Sequence, residues 1–97
     1  MSLSRVLLVG RLTAPATRNG DSVERVVSVE NFANDRNGKR FRTEIQVRAA
    51  GTVAGVLADA SSSADVTVEG RLRLEPAPEG RGRSRYVVLA DRVEVAP

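Results

Sequence analysis

Apolar residues recur along this chain at two spacings, and the change from one to the other divides it into elements. Residues 40–48 (RFRTEIQVR) alternate most cleanly. Phe41, Thr43, Ile45 and Val47 stand against Arg40, Arg42, Glu44, Gln46 and Arg48, the period of two that a half-buried strand requires, with a guanidinium-rich face turned to solvent. Residues 65–74 return to that period, with Val66, Val68, Gly70, Leu72 and Leu74 opposite Thr67, Glu69, Arg71 and Arg73. Residues 23–32 alternate Val23, Arg25, Val27 and Val29 against Glu24, Val26, Ser28 and Glu30. Residues 85–95 (RYVVLADRVEV) form a last strand with Tyr86, Val88, Val93 and Val95 apolar. The first strand, residues 5–13 (RVLLVGRLT), differs: Val6, Leu8 and Leu12 share one face while Leu7 and Val9 are apolar on the other. That implies cover on both sides, with a partner subunit against one of them. Between residues 51 and 60 the period changes. Val53, Val56, Leu57 and Ala60 fall at i, i+3, i+4 and i+7, a short amphipathic helix that Ser61-Ser62-Ser63 ends.

Turn chemistry fills the gaps. Asn19-Gly20-Asp21 separates the first two strands, and Asn37-Gly38 within residues 34–39 (NDRNGK) makes an exposed, basic hairpin tip. Residues 75–84 (EPAPEGRGRS) hold two Pro and two Gly among charges and read as a mobile loop. The order is strand, strand, strand, helix, strand, strand within 97 residues. A doubly wound sheet would need a helix between successive parallel strands, so it is excluded. The pattern predicts an all-β fold: a five-stranded barrel of the OB-fold plan with one short helix between the third and fourth strands, a single domain over residues 1–97.

Composition removes most chemistry. The chain has no His and no Cys, hence no disulfide, thiolate metal site or thiol nucleophile, and neither the usual zinc ligand nor the usual general base. Its carboxylates, such as Asp59, Asp65, Glu69 and Asp91, show no metal-ligand or acid–base spacing. No enzyme, metal or cofactor is expected. Apolar runs such as residues 6–9 are far below the roughly 20 residues of a membrane span, and the N-terminus lacks a secretory pattern. A soluble, intracellular protein is expected. A chain this short buries only about 60–65% of its unfolded surface, which makes self-association a reasonable expectation. Fourteen of the fifteen cations are Arg. Genome composition accounts for that as well as function does, although a guanidinium matches phosphate oxygens in a way an ammonium cannot.

Three stretches resemble the bacterial single-stranded DNA-binding proteins. Residues 4–13 (SRVLLVGRLT) look like that family's opening strand, residues 65–73 (DVTVEGRLR) like its fourth strand, and residues 83–95 (RSRYVVLADRVEV) like its closing strand. The resemblance spans nearly all of the chain. It implies an OB-fold, single-stranded DNA bound without base specificity, a cytoplasmic, nucleoid-associated role in replication, repair or recombination, and a homodimer or homotetramer built partly through the first strand. Replication proteins are further partners it brings to mind. Two departures stand out. The family stacks bases on several Trp and Phe rings, whereas positions around Ile45, Ala49 and Ala50 and the loop around Pro76 carry none. The sequence also reaches Pro97 without the family's flexible extension and acidic tip, so no C-terminal acidic tail is expected. The primosomal replication protein N group, a dimeric relative of similar length with few stacking aromatics, is similar over residues 44–70. An OB module that binds mainly protein partners is the remaining alternative.

Charge nominates the interface. Residues 36–48 carry five cations to one anion, net +4, and residues 71–85 five to two, net +3, leaving −4 for the rest of a +3 chain. Arg36, Lys39, Arg40, Arg42 and Arg48 in one hairpin region and Arg71, Arg73, Arg81, Arg83 and Arg85 in the other are the candidate phosphate contacts. Solvated loop charges, or cross-strand pairs of Arg42 or Arg71 with Glu44 or Glu69, would account for the same clustering. Phe32 and Tyr86 are the candidate stacking rings, with core packing the competing reading for Tyr86; Phe41 shares a face with Ile45 and Val47 and is read as core.

Overall fold

Every second residue of the long strands points to one interior, and that interior closes on itself. The computed structural model describes residues 4–32, 40–77 and 82–97, with backbone alone for 31, 32, 40 and 41. Its elements are β1 (Arg5–Leu12), β2 (Thr17–Asn19), β3 (Ser22–Phe32), β4 (Arg40–Ala50), α1 (Gly51–Asp59), β5 (Asp65–Glu75) and β6 (Arg85–Val95). Neighbouring strands run β1-β5-β6-β4-β3, and β1 returns to β3 at Arg11 opposite Ser28 and Leu12 opposite Val27. The result is a closed five-stranded barrel with one short helix between its third and fourth staves, an OB-fold as the pattern predicts. The sixth strand, β2, lies outside the ring and folds back on β3 across Gly20, whose φ of +62° suits a glycine in a tight turn. Its three residues Thr17, Arg18 and Asn19 are all exposed, so no apolar alternation marks them as a strand.

The core is aliphatic. Leu8, Leu12, Val23, Val27, Val47, Val66, Val68, Val88 and Val93 fill the barrel, and Ala54 and Leu57 of α1 plug one end. Each buried Val or Leu contributes roughly 1.5–3 kcal/mol. The helix presents a different stripe from the expected one: Val56 is exposed, and Ala54 joins Leu57 in the core. A helix of under three turns lying across the barrel mouth buries only what faces the hole, and the smaller Ala54 is the side chain that fits there.

Two glycines are required by close approach. A Cβ at Gly10 would run into the Ser28 carbonyl oxygen where β1 crosses to β3, and one at Gly70 into the Leu89 carbonyl oxygen at the β-bulge between Glu69 and Gly70. Both let the sheet curl tightly enough to close.

One pairing orients everything that matters for a ligand. β4 runs parallel to β6, Gln46 opposite Val87, Val47 opposite Val88 and Arg48 opposite Leu89. Parallel neighbours start at the same pole, so the β3–β4 and β5–β6 connections both leave the barrel at the end opposite α1. Above those three pairs β4 and β6 part, and beyond Arg11 and Leu12 β1 and β3 part as well. Among the described residues no element covers the hairpin pole, whereas α1 plugs the helix pole.

Candidate nucleic-acid interface

Strand parity decides where each arginine goes. On β4 the odd positions Ile45, Val47 and Ala49 face the barrel interior and the even positions Arg42, Glu44, Gln46 and Arg48 face outward. On β5 the outward set is Thr67, Glu69, Arg71, Arg73 and Glu75. Because β6 lies between β4 and β5, their outward side chains meet over Val87, which is fully buried beneath them.

Arg48 sits at the centre of that meeting. Its Nη1 donates to Glu75 Oε2 at 2.6 Å and its Nη2 to Glu75 Oε1 at 2.9 Å, while Nη2 and Nε donate to Glu24 Oε1 at 3.0 and 3.3 Å. Its side chain is 27% exposed and that of Glu75 15%. Hydrogen bonds to Glu75 come first among the causes that hold the Arg48 guanidinium above its ordinary range, and the same bonds hold the Glu75 carboxyl below its own. Arg48 was expected among the phosphate contacts; the structure instead commits it to two carboxylates that bind β3, β4 and β5 together. The cross-strand register, Glu24 opposite Arg48, is what sequence reading lacked.

The other candidates are freer. Arg42 is 66% exposed, with Glu30 3.7 Å away as a loose partner rather than Glu44. Arg73 is also exposed, 3.8 Å from Glu75. Arg71 is exposed and stands opposite Arg5 across the β1–β5 pairing, and Arg5 itself reaches Asp91 at 3.6 Å. Exposed pairs of this kind contribute only ~0–1 kcal/mol and do not withdraw a guanidinium from a ligand. Arg83 is exposed. Arg85 is half-buried, its Nη1 donating to Gln46 Oε1 at 3.1 Å and its Nε buried with no hydrogen-bond acceptor among the described residues. Tyr86 is 61% exposed beside Leu74, its register partner, so its ring is not core. The backbones of Phe32 and Arg40 pair at the end of the β3–β4 ladder, but their side chains, and that of Phe41, lie outside what the structure describes. Arg36, Lys39 and Arg81 lie outside the described residues altogether.

Arg25 is the arginine that sequence reading left unassigned. It faces the interior with Val23 and Val27 and is only 3% exposed. Nε and Nη2 donate to the Ala14 carbonyl at 3.1 and 2.7 Å, Nη1 to those of Leu57 at 3.1 Å and Ala60, and Nη2 to Ser62 Oγ at 3.5 Å. It thus supplies α1 with the C-terminal cation its own last turn lacks. Burial draws its pKa below the ordinary guanidinium value. An Arg at an interior-facing position of a valine strand is the sequence signal for such a role.

Among the described residues no helix is long and apolar enough to cross a membrane, and no group of three or more His, Cys, Asp or Glu converges as a metal site would. No family model and no curated protein matches the sequence. Solved structures do. The chain is similar to a small single-stranded DNA-binding protein from Streptomyces coelicolor, 20% identical with a TM-score of 0.78, covering 99% of this chain and 95% of that one. It is similar to the single-stranded DNA-binding protein from Thermus aquaticus, 22% identical with a TM-score of 0.77, covering 99% of this chain but 51% of that one. It is also similar to PriB from Ralstonia solanacearum, 18% identical with a TM-score of 0.68, covering 98% of this chain and all of that one. At these identities the likeness shows the fold: the chain is an OB-fold barrel built like those of single-stranded DNA-binding proteins and PriB.

Proposed function

We propose that this protein binds single-stranded DNA without base specificity, in replication, repair or recombination, by tracking phosphates with the guanidiniums of its hairpin pole. The observation that carries this reading is the parallel β4–β6 pairing, which sends both arginine-rich connections out of one end of the barrel. Arg42, Arg73 and Arg83 stand exposed around that end, while Asp21, Asp59 and Asp65 belong to the other. Arg36, Lys39, Arg40, Arg71, Arg81 and Arg85 complete the proposed set. Arg48 is left out of it because two carboxylates already occupy it. The fold shared with proteins named for single-stranded DNA binding supports the same conclusion.

Association of copies through β1 belongs to this proposal. Leu7 and Val9 are each 65% exposed on the outer face of β1, and over residues 5–10 one edge of that strand has no partner among the described residues. A second copy would cover both, and light scattering reads the resulting mass. The protein would work in the cytoplasm, at the nucleoid.

Each phosphate neutralised on a single strand contributes a slope of about −0.7 in log affinity against log salt. Anisotropy of a labelled oligo-dT is therefore expected to report binding of roughly micromolar strength at low salt, falling steeply as salt rises and weaker for duplex DNA. Absence of binding at low ionic strength would overturn the proposal; equal retention of duplex and single strand would favour a PriB-like accessory module whose main partners are proteins.

A further inference from the structure

The outer wall of the barrel carries a line of guanidiniums wide enough to touch both strands of a duplex, and one end of that line is shut. Register places Arg5 of β1 opposite Arg71 of β5, Arg71 opposite Leu89 of β6, Leu89 opposite Arg48 of β4, and Arg48 opposite Glu24 of β3. The row crosses a convex wall. Three strand spacings of ~4.8 Å put its two outer arginines, Arg5 and Arg48, about 14 Å apart at the backbone, close to the ~12 Å width of a major groove. Arg5 and Arg71 are exposed, and Arg5 has an equally accessible Asp91 3.6 Å away as a loose partner. Arg48 is treated differently. The half-buried carboxylates of Glu24 and Glu75 grip it at 3.0 and 2.6 Å, so one positive charge meets two negative ones at that end.

We infer that Glu24 and Glu75 are specificity determinants: by holding Arg48 they deny a duplex its second line of phosphate contacts and confine polynucleotide to the hairpin pole. The inference rests on the proposed single-strand binding and names the residues that set its preference over duplex. A duplex is stiff and carries phosphates on both sides of each groove, so it gains from cations a groove's width apart. A single strand bends and follows one line of cations, which Arg42, Arg73 and Arg83 around the pole supply. A phosphate could take Arg48 only by leaving two half-buried carboxylates without their partner, which is costly. Bracing alone does not call for both acids. Glu75 already ties β4 to β5 through Arg48, and β3 is joined to β4 along eleven register pairs. Glu24 therefore links no strands that are not linked without it, and what it adds at that end of the row is negative charge.

Glu24→Gln with Glu75→Gln removes both charges while leaving Arg48 an oxygen to bond on each side. Asp21→Asn with Asp59→Asn changes the net charge equally, at exposed positions of the helix pole. Each is titrated at low and rising salt with labelled oligo-dT and with a duplex of equal length. The Gln pair is expected to bind duplex about tenfold tighter at low salt, with its salt slope steeper by about 0.9 for the one phosphate Arg48 gains. Oligo-dT binding should change far less, so the preference for the single strand narrows. Adding Arg48→Ala to the Gln pair should cancel the gain, and the Asn pair should not produce it. Should the Gln pair fail to fold, Glu24→Gln alone keeps the Glu75 tie and should shift duplex binding in the same direction by a smaller factor. Duplex binding unchanged in the folded Gln variant, a gain that survives Arg48→Ala, or an equal gain in the Asn pair each overturns the selective role and leaves phosphate tracking standing. Failure of the parent protein to bind oligo-dT overturns the single-strand reading itself, and this inference with it.

Discussion

The two poles of the barrel treat the same side chain in opposite ways. At the helix pole, Arg25 is buried, its guanidinium spent on the carbonyls of Ala14, Leu57 and Ala60. At the hairpin pole, Arg42 and Arg73 lie open with loose partners beyond 3.5 Å. Arg48 lies between these extremes, on the outer wall with two close carboxylates. What separates them is sheet geometry rather than chemistry. Where strands stay paired and a helix covers the hole, carbonyls at the helix end lack donors and a buried cation satisfies them. Where β4 leaves β6 and β1 leaves β3, the strands cannot enclose their own side chains, and cations remain available to a ligand. An arginine count by itself cannot tell a structural group from a binding one.

Arg25 offers the most forceful way to break that contrast. Replacing it by Met keeps an apolar stem but removes the donors, and each buried carbonyl left without one costs ~1–3 kcal/mol, so a loss of about 3–5 kcal/mol is expected. That is a large share of the ~5–15 kcal/mol that holds a typical domain. Urea unfolding should show it as a fall in midpoint, and the folded fraction should bind oligo-dT as before. Arg25→Lys should recover only part of the loss, since an ammonium cannot span the same acceptors. Unchanged stability in Arg25→Met would mean that α1 does not depend on the buried guanidinium.

Glu75 comes next in size. Its carboxyl is held below the ordinary range first by the hydrogen bonds from Arg48 and then by the charges of Arg48, Arg73 and Arg85, against the opposing effect of burial. A depressed folded pKa means that the unfolded chain binds the proton more readily. The stabilisation is therefore complete above the ordinary carboxylate range and is lost as pH falls through the depressed value. Glu75→Gln is expected to cost about 1–2 kcal/mol at neutral pH, between the exposed and buried limits for an ion pair. The gap from the parent protein should narrow in acid, read from thermal unfolding at successive pH values. A gap that widens in acid would show that the Arg48 network is not what links Glu75 to stability.

Much of this architecture is legible in the sequence because it rests on local periodicity. The alternation of Phe41, Thr43, Ile45 and Val47, or of Val66, Val68 and Leu72, follows from pleat geometry and needs no knowledge of the partner strand. Elements whose marks lie elsewhere are harder to read. β2 is three polar residues tied down by β3, and the stripe on α1 is chosen by the hole it plugs, which is why Ala54 and not Val56 is buried. The site divides along the same line. Clustering of cations in two segments is a property of the sequence, but whether the segments share a pole depends on the parallel pairing of β4 with β6, a contact between residues about forty positions apart. Arg48 and Arg42 are indistinguishable by pattern, being on one face of one strand; only the register with Glu24 and the reach of Glu75 across β6 separates them.

That separation gives the smallest of the expected effects and the one that bears most directly on function. Arg42→Ala and Arg73→Ala each remove an exposed guanidinium, so each should lower the salt slope of oligo-dT binding by about 0.7 and weaken all sequences alike. Stability should change by less than about 0.5 kcal/mol, as for surface positions in general. Arg48→Ala should do the reverse: lower stability by loosening three strands while leaving the salt slope of the folded protein unchanged, because a guanidinium shared between Glu24 and Glu75 releases no counterion when DNA arrives. Salt titrations of the three variants against the parent protein decide the matter. Should Arg48→Ala flatten the slope as much as Arg42→Ala does, the strand must displace the carboxylates from Arg48, and the outer wall of the barrel would have to be counted as part of the DNA path.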